Sequence, residues 1–306
     1  MFAFVLYRIG IIFAILFIGA LARRVNILTK ETTDGLCRLA IEVTLPFLYF
    51  YTLSANLNRG LFLSIWSMPL WAVGLTFVSL VLGWAFSSGL KSDLRQRRTF
   101  LFLVTFGNYG FLAIPLVYAL FGQEGLVIVS VFNLGVAFLY WTLGLVILTG
   151  VKGKGLSVFK NLFNTATFAL VSGLIVGISP LTPPKFILEV SQLIGNASIP
   201  LALIVVGSIL AHRDAPRNFS FRTIFSLVFC RNVLTPAIVL LSVNVFFALP
   251  KMILAIIVLQ AAMPAASTTP ILTAKFNGDT DFAASAVFFS TLFGIITIPL
   301  FISLAF

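Results

Sequence analysis

The feature that most constrains this chain is the recurrence of long apolar runs separated by short polar loops. An α-helix needs about 20 apolar residues to cross the hydrocarbon core of a bilayer. Windows of that kind fall at 3–22, 36–55, 61–87, 98–120, 125–149, 164–181, 187–211, 221–247, 251–275 and 281–304. Only 9% of the 306 residues are charged, against about a quarter in a soluble domain. An ordinary cytosolic enzyme is thereby excluded. Disorder is excluded too, because the chain is 60% apolar and water could not solvate that much apolar surface. The predicted class is an all-α polytopic membrane protein of ten transmembrane helices.

The first window has an Ala20-Leu21-Ala22 stretch that resembles a cleavage site. Its apolar run is too long for a signal-peptide core, and Arg23 and Arg24 follow it rather than precede it, so it is read as a membrane helix. The net charge of +11 is read as topology rather than nucleic-acid affinity, since the basic residues sit in short loops between apolar windows. The odd-numbered loops hold fifteen basic residues: Arg23, Arg24, Lys30 and Arg38; Lys91, Arg95, Arg97 and Arg98; Lys152, Lys154 and Lys160; Arg213, Arg217 and Arg222; and Lys275. The even-numbered loops hold Arg59, Lys185 and Lys251. The odd loops are therefore expected in the cytoplasm and both termini outside a plasma or inner membrane.

Chemistry-bearing motifs are scarce. Cys37 and Cys230 lie in or beside apolar segments without CxxC spacing, and His212 stands in a polar loop beside Arg213. Neither pattern points to a metal centre or a disulfide. No catalytic triad, HExxH, Walker loop or GxGxxG is present, so the sequence lends enzyme chemistry no support and implies no cofactor.

An internal repeat is more informative. Pro46 and Pro200 are 154 residues apart, while Pro115 and Pro270, like Phe121 and Phe276, are 155 apart. Two proline landmarks whose offsets agree to within one residue divide the chain into residues 1–150, a linker 151–163 and residues 164–306. Five windows per half is an odd number, so the second half would enter the membrane from the opposite side. Inverted repeats of this kind belong to transporters far more often than to channels or receptors.

Windows four and nine are the most irregular. Gly107-Asn108-Tyr109-Gly110 with Pro115, and Met263-Pro264-Ala265-Ala266-Ser267-Thr268-Thr269-Pro270, should open both helices at mid-membrane. Backbone freed there must face protein or a wet cavity, and the following half-helices would present N-termini that attract an anion. The candidate substrate site is therefore Asn108, Tyr109, Pro115, Gln260, Pro264, Ser267, Thr268, Thr269 and Pro270. Amide side chains donate and accept alike, so Asn108 and Gln260 do not fix the ligand's charge. Packing prolines are the plainer alternative for either break taken alone.

Glu42 lies inside the second window, as a proton-coupling candidate or as the partner of Arg38 four residues earlier. Arg231, nine residues into the eighth window beside Asn232, is read as an anion ligand or, in preference, a side chain snorkelling to the cytoplasmic edge. Tyr7 and Arg8 read as interface anchors, and Asn133 and Tyr140, seven apart on one face, as helix-packing residues.

GNYGFLAIPLVYALFG at 107–122 and MPAASTTPILTAKFNGD at 263–279, with LPFLYF at 45–50 and IPLALIVVGSIL at 199–210, resemble the auxin efflux carrier family across essentially the whole chain. That family is similar to the bile acid/sodium symporters and sodium/proton antiporters. The resemblance implies a scaffold of helices 1, 2, 6 and 7, and a transport domain of helices 3–5 and 8–10. It further implies crossing helices 4 and 9 and an elevator motion, with a homodimer formed through the scaffold. Plant members export the auxin anion, and bacterial ones are associated with small carboxylates such as malate or malonate. Carried over, Pro115 and Pro270 are the crossover prolines and Asn108 the polar residue of the first crossing helix. The long central loop of many plant carriers is absent, pointing to a bacterial or short-loop member without phosphorylation control through it. Glu42 stands where an uncharged polar residue is expected.

The function expected is secondary transport of a small organic anion, auxin-like or dicarboxylate. Alternatives are a sodium- or proton-coupled symporter, drawing on Glu42, Asn108 and Gln260, and a non-transporting carboxylate sensor. A membrane enzyme is the least supported reading.

Overall fold

A computed structural model describes residues 2–90, 92–150, 162–211 and 220–305. Lys91, Lys152, Lys154, Lys160, His212, Arg213, Arg217 and most of the 151–163 linker lie outside the described residues. The described chain is all helical, with no strand beyond one isolated bridge between Gly107 and Ala265.

In chain order the helices are α1 Phe2–Arg24, α2 Lys30–Asn56, α3 Arg59–Ser88, α4 Leu94–Thr105, α5 Ala113–Thr149, α6 Thr165–Ile178, α7 Lys185–Leu210, α8 Phe221–Phe246, α9 Lys251–Ala262, α10 Thr269–Lys275 and α11 Thr280–Ala305. Seven of them (α1, α2, α3, α5, α7, α8 and α11) are long and apolar enough to cross a membrane, and α6 and α9 are shorter apolar helices. Every window read from the sequence lies on helix, but windows four and nine are each divided between two. Window five shares α5 with the second half of window four. Gly122, at φ 62° and ψ −149°, breaks α5 between them, a backbone conformation open to glycine and strained for other residues.

Three long helices carry a one-turn π-bulge: α2 at Ala40–Thr44, α5 at Tyr140–Gly144 and α8 at Cys230–Leu234. Two of the bulges are followed at once by a proline, Pro46 and Pro236, whose ring denies the carbonyl before it a partner. Thr235 Oγ1 donates to the Cys230 carbonyl at 2.9 Å and Thr44 Oγ1 to the Ala40 carbonyl at 3.5 Å, each a second bond to a carbonyl that already accepts a backbone N–H.

Helices in lipid gain little from the hydrophobic effect on pairing, so close backbone contact through small residues decides which ones pack. A Cβ on Gly207 would collide with the Leu16 carbonyl, and one on Gly19 with the Ile204 carbonyl. Gly173 and Gly177 of α6, and Gly195 of α7, meet the backbone of α2 between Phe47 and Leu53. These approaches bring α1, α2, α6 and α7 together. On the other side α3 packs on α4 and α5, and α9 on α8 and α11.

Candidate functional site

The two interruptions meet at the centre of the molecule. Chain 106–112 separates α4 from α5, and chain 263–268 separates α9 from α10. They cross as an antiparallel pair: the Asn108 N–H donates to the Pro264 carbonyl at 2.8 Å and the Ala266 N–H to the Phe106 carbonyl at 3.3 Å. Each break thus satisfies part of the backbone that the other exposes, as buried backbone far from water must be satisfied. The Ala265 N–H finds Ser290 Oγ of α11 at 3.2 Å.

The prolines do not kink continuous helices here. Pro115 lies in the first turn of α5 and Pro270 at the start of α10. A helix's first residues have no use for their N–H groups, so proline starts a helix well. The breaks themselves are made by the residues just before.

Arg231 overturns its predicted snorkelling. It is 0% exposed, and the bulge in α8 turns it into the crossing. Its Nε donates to the Met263 carbonyl at 2.9 Å, and one terminal nitrogen reaches the Val104 carbonyl at 3.2 Å and Ser79 Oγ at 3.3 Å. The other nitrogen reaches the Tyr109 hydroxyl at 3.1 Å and the Gln260 carbonyl at 3.5 Å. Val104 lies in the last turn of α4, Gln260 in that of α9, and Met263 directly follows α9. A cation is favoured against the negative ends of two helices. A planar fork with five N–H donors can serve both, which an ammonium cannot. No acid lies within ion-pair distance of Arg231 among the described residues. Gly107 is glycine for the same reason: a Cβ there would collide with the guanidinium.

Beside the crossing lies a cavity of about 270 Å³. One wall is the broken chain itself, Gly107 to Phe111 with Ala266 and Thr268. The opposite wall comes from Ile41, Leu45 and Tyr49 of α2 and Ala166, Thr167 and Leu170 of α6, while α5 closes it with Asn133, Val136, Ala137, Tyr140 and Trp141. Asn108 Oδ1 accepts from the Phe111 N–H at 3.1 Å, which fixes the amide and leaves Nδ2 buried without a partner among the described residues. Asn133 Nδ2 donates to the Tyr49 hydroxyl at 3.0 Å, leaving Oδ1 likewise unpartnered. The Tyr140 hydroxyl and Thr268 Oγ1 are 3.2 Å apart. Unsatisfied buried polar atoms are uncommon in folded proteins and mark places where a ligand or water belongs.

Of the residues singled out by sequence, the cavity takes Asn108, Tyr109 and Thr268. Pro115, Pro264, Ser267, Thr269 and Pro270 shape the crossing behind its wall, and Ser267 Oγ is buried without a partner among the described residues. Gln260 is also off the wall, with both side-chain atoms buried and unpartnered. Glu42 pairs with Arg38 at 3.0 Å, its side chain 51% exposed, and does not line the cavity although its neighbour Ile41 does. The ion-pair reading is the one the geometry takes. Asn133 and Tyr140, read as packing residues, stand in the cavity wall. Their spacing on one face was visible in the sequence, but nothing local said which helix they would meet. Arg8 and Tyr7 sit near the start of α1, with the Arg8 guanidinium 5.2 Å from the Phe4 ring. Cys37 and Cys230 are buried free thiols.

Comparison with known proteins agrees over nearly the full length. The sequence profile of a family described as membrane transport protein matches residues 4–302. An uncharacterized transporter of Methanothermobacter thermautotrophicus is 25% identical over 291 residues, covering 94% of each chain. An uncharacterized transporter of Methanocaldococcus jannaschii is 23% identical over 300 residues, covering 95% of each.

Proposed function

Since the chain belongs to the membrane transport protein family, that of the auxin efflux carriers, we propose that it is a secondary carrier of a small organic anion, with its substrate held in the cavity beside the crossing. One observation carries this reading: an apolar cavity with unpartnered neutral groups stands in front of a buried cation that has no acid beside it. Arg231 donates to the hydroxyl of Tyr109, a residue of the cavity wall. Away from water a unit charge acts strongly over a few ångströms, so the site favours a carboxylate over a cation. Asn108 Nδ2 offers that carboxylate a hydrogen bond, and the Tyr140–Thr268 hydroxyl pair a second. Ile41, Leu45, Val136 and Leu170 suit an apolar remainder. The volume is near the low end for small-molecule sites, about 300–1,000 Å³, in keeping with a substrate of few atoms.

The finer reading is of ten crossings in two inverted halves, helices α4 with the start of α5, and α9 with α10, forming the crossed pair. The position of the cavity supports an elevator. One wall belongs to α2 and α6 and the other to the broken chain and α5, so sliding the second group past the first would carry the substrate. The cavity extends towards Asn164 and Trp141, near the ends of α6 and α5 that adjoin a basic odd-numbered loop, which is an inward-facing arrangement under the predicted topology.

The test is flux of labelled indole-3-acetate, malate and malonate in proteoliposomes, with and without sodium and proton gradients. Saturable flux of at least one carboxylate is expected. Absence of flux with every carboxylate would sink the carrier, and binding without counterflow would identify a sensor. Loss of flux on collapse of one gradient would identify the coupling ion, and flux that survives both would identify an uncoupled carrier.

A further inference from the structure

A second cavity, of about 540 Å³, lies apart from the first between the start of α4, the end of α5 and the end of α10. Its lining includes Arg95 and Arg98 of α4, Leu148 and Thr149 of α5, and Lys275 and Asn277 at the end of α10. Three chain segments distant in sequence are tied together here. Arg98 approaches the Thr149 carbonyl at 3.5 Å, Gln96 Nε2 donates to Asp279 Oδ2 at 3.3 Å, and the Asp279 N–H donates to Thr99 Oγ1 at 3.0 Å.

The charges are arranged one-sidedly. None of Arg95, Arg98 and Lys275 has an acid within 4.0 Å among the described residues. The two acids closest in sequence are otherwise engaged. Asp93 accepts from the Gln96 N–H at the start of α4, and Asp279 from the Phe282 N–H at the start of α11. Arg97, the remaining cation of this turn, donates to the Leu90 carbonyl at 2.7 Å. Three cations around one concavity repel one another unless an anion joins them. The positive-inside rule accounts for basic residues in these loops, but not for their convergence on one open concavity. By the charge count the three loops concerned face the cytoplasm, where basic pockets between membrane helices bind anionic head groups.

We propose that this cavity binds a phosphate-bearing anion, supplied either as the head group of an anionic phospholipid or as a soluble phosphate. Arginine provides forked N–H donors for phosphate oxygens, and lysine a point charge. The occupant would clamp the outer ends of α4 and α10, whose inner ends form the crossing. Its presence would stiffen the element that carries the transport cavity without touching the substrate.

The test uses the purified full chain in neutral detergent, titrated separately with phosphatidylglycerol, phosphatidylcholine and inorganic phosphate. Retention is read by native mass spectrometry and stability by thermal melting. Phosphatidylglycerol, inorganic phosphate or both should be retained and raise the melting temperature, with phosphatidylcholine doing neither. Each cation removed should weaken binding about fivefold, so Arg95→Gln/Lys275→Gln should lose about twenty-five-fold. Both side chains are exposed and unpaired, so the variant should fold, and the two single variants repeat the measurement should it not. Arg59→Gln, in an even-numbered loop, should bind as the parent does. Response to the lipid alone assigns a head group; response to inorganic phosphate assigns a soluble ligand. Equal binding by parent and Arg95→Gln/Lys275→Gln overturns the site, as does an equal loss in Arg59→Gln.

Discussion

At the scale of single residues, two side chains decide how the crossing is held and what it offers. Asn108 divides its amide between the local turn and, under the proposed function, the substrate. Its oxygen holds the Phe111 N–H in the turn before α5, and its nitrogen has no partner among the described residues. Replacing it with alanine should weaken carboxylate binding by about 1–3 kcal/mol through the lost hydrogen bond, measured as affinity in a thermal-shift titration; unchanged affinity would remove Asn108 from the site. Arg231 and Gly107 form a steric and electrostatic pair. Adding a methyl group at Gly107 pushes against the guanidinium, and overpacking a tight interior costs about 1–3 kcal/mol. Lysine at 231 keeps the charge but cannot reach two helix ends at once, so Arg231→Lys should also lower the melting temperature. The two changes are not independent, because the thinner lysine removes the group that the new methyl strikes. In the double variant Gly107→Ala should therefore cost less than in the parent. Strict additivity in the melting data would show that the contact is not the reason for glycine.

At the scale of elements, helix positions were legible because the bilayer imposes one length and one polarity on everything that crosses it. The breaks were legible too, since Gly107, Asn108, Gly110 and the Pro264–Pro270 stretch violate helix chemistry locally. What the prolines do was less so. Pro115 and Pro270 read as kinks in the sequence, yet both start half-helices, and the chain before them makes the bridge. The three π-bulges were not legible at all. Pro46 and Pro236 follow two of them, but proline alone does not distinguish a bulge from a kink or a helix start, and the third has no proline beside it. They stand under Glu42, Tyr140 and Arg231, so a shifted turn re-aims these polar groups in otherwise apolar helices. A bulge is how Arg231, which local reasoning sent to the membrane edge, reaches carbonyls 29 to 127 residues away. Pro270→Ala belongs to this scale. It frees φ at a position that proline presets for the first turn of α10, so this half-helix, which adjoins the cavity, should start less firmly. Flux per molecule should fall while expression and melting change little. Normal flux in this variant would leave Pro270 only a packing role.

At the scale of the whole molecule, the helices group by where backbones touch. α1, α2, α6 and α7 meet through glycines with carbonyls pressed against Cα positions, a contact that resists sliding because ridges and grooves are fixed at the backbone. The first cavity lies between α2 and α6 of this group and the broken helices, and under the proposed function a cavity at such a boundary leaves fewer packed side chains to break if one body moves. The sequence held the two groups only through resemblance, since no local pattern tells α2 that it will face α10. Cross-linking tests the motion directly. Ile41 and Ile271 line the same cavity, from α2 and α10 respectively. With Cys37 and Cys230 replaced by alanine to remove the native thiols, cysteines at 41 and 271 joined by a flexible bifunctional reagent should arrest transport, and a reducible linker should restore it on cleavage. Each single cysteine treated alike should retain flux. Full flux in the cross-linked double variant, with linkage confirmed by mass spectrometry, would mean that these walls do not move apart and that the substrate crosses without an elevator.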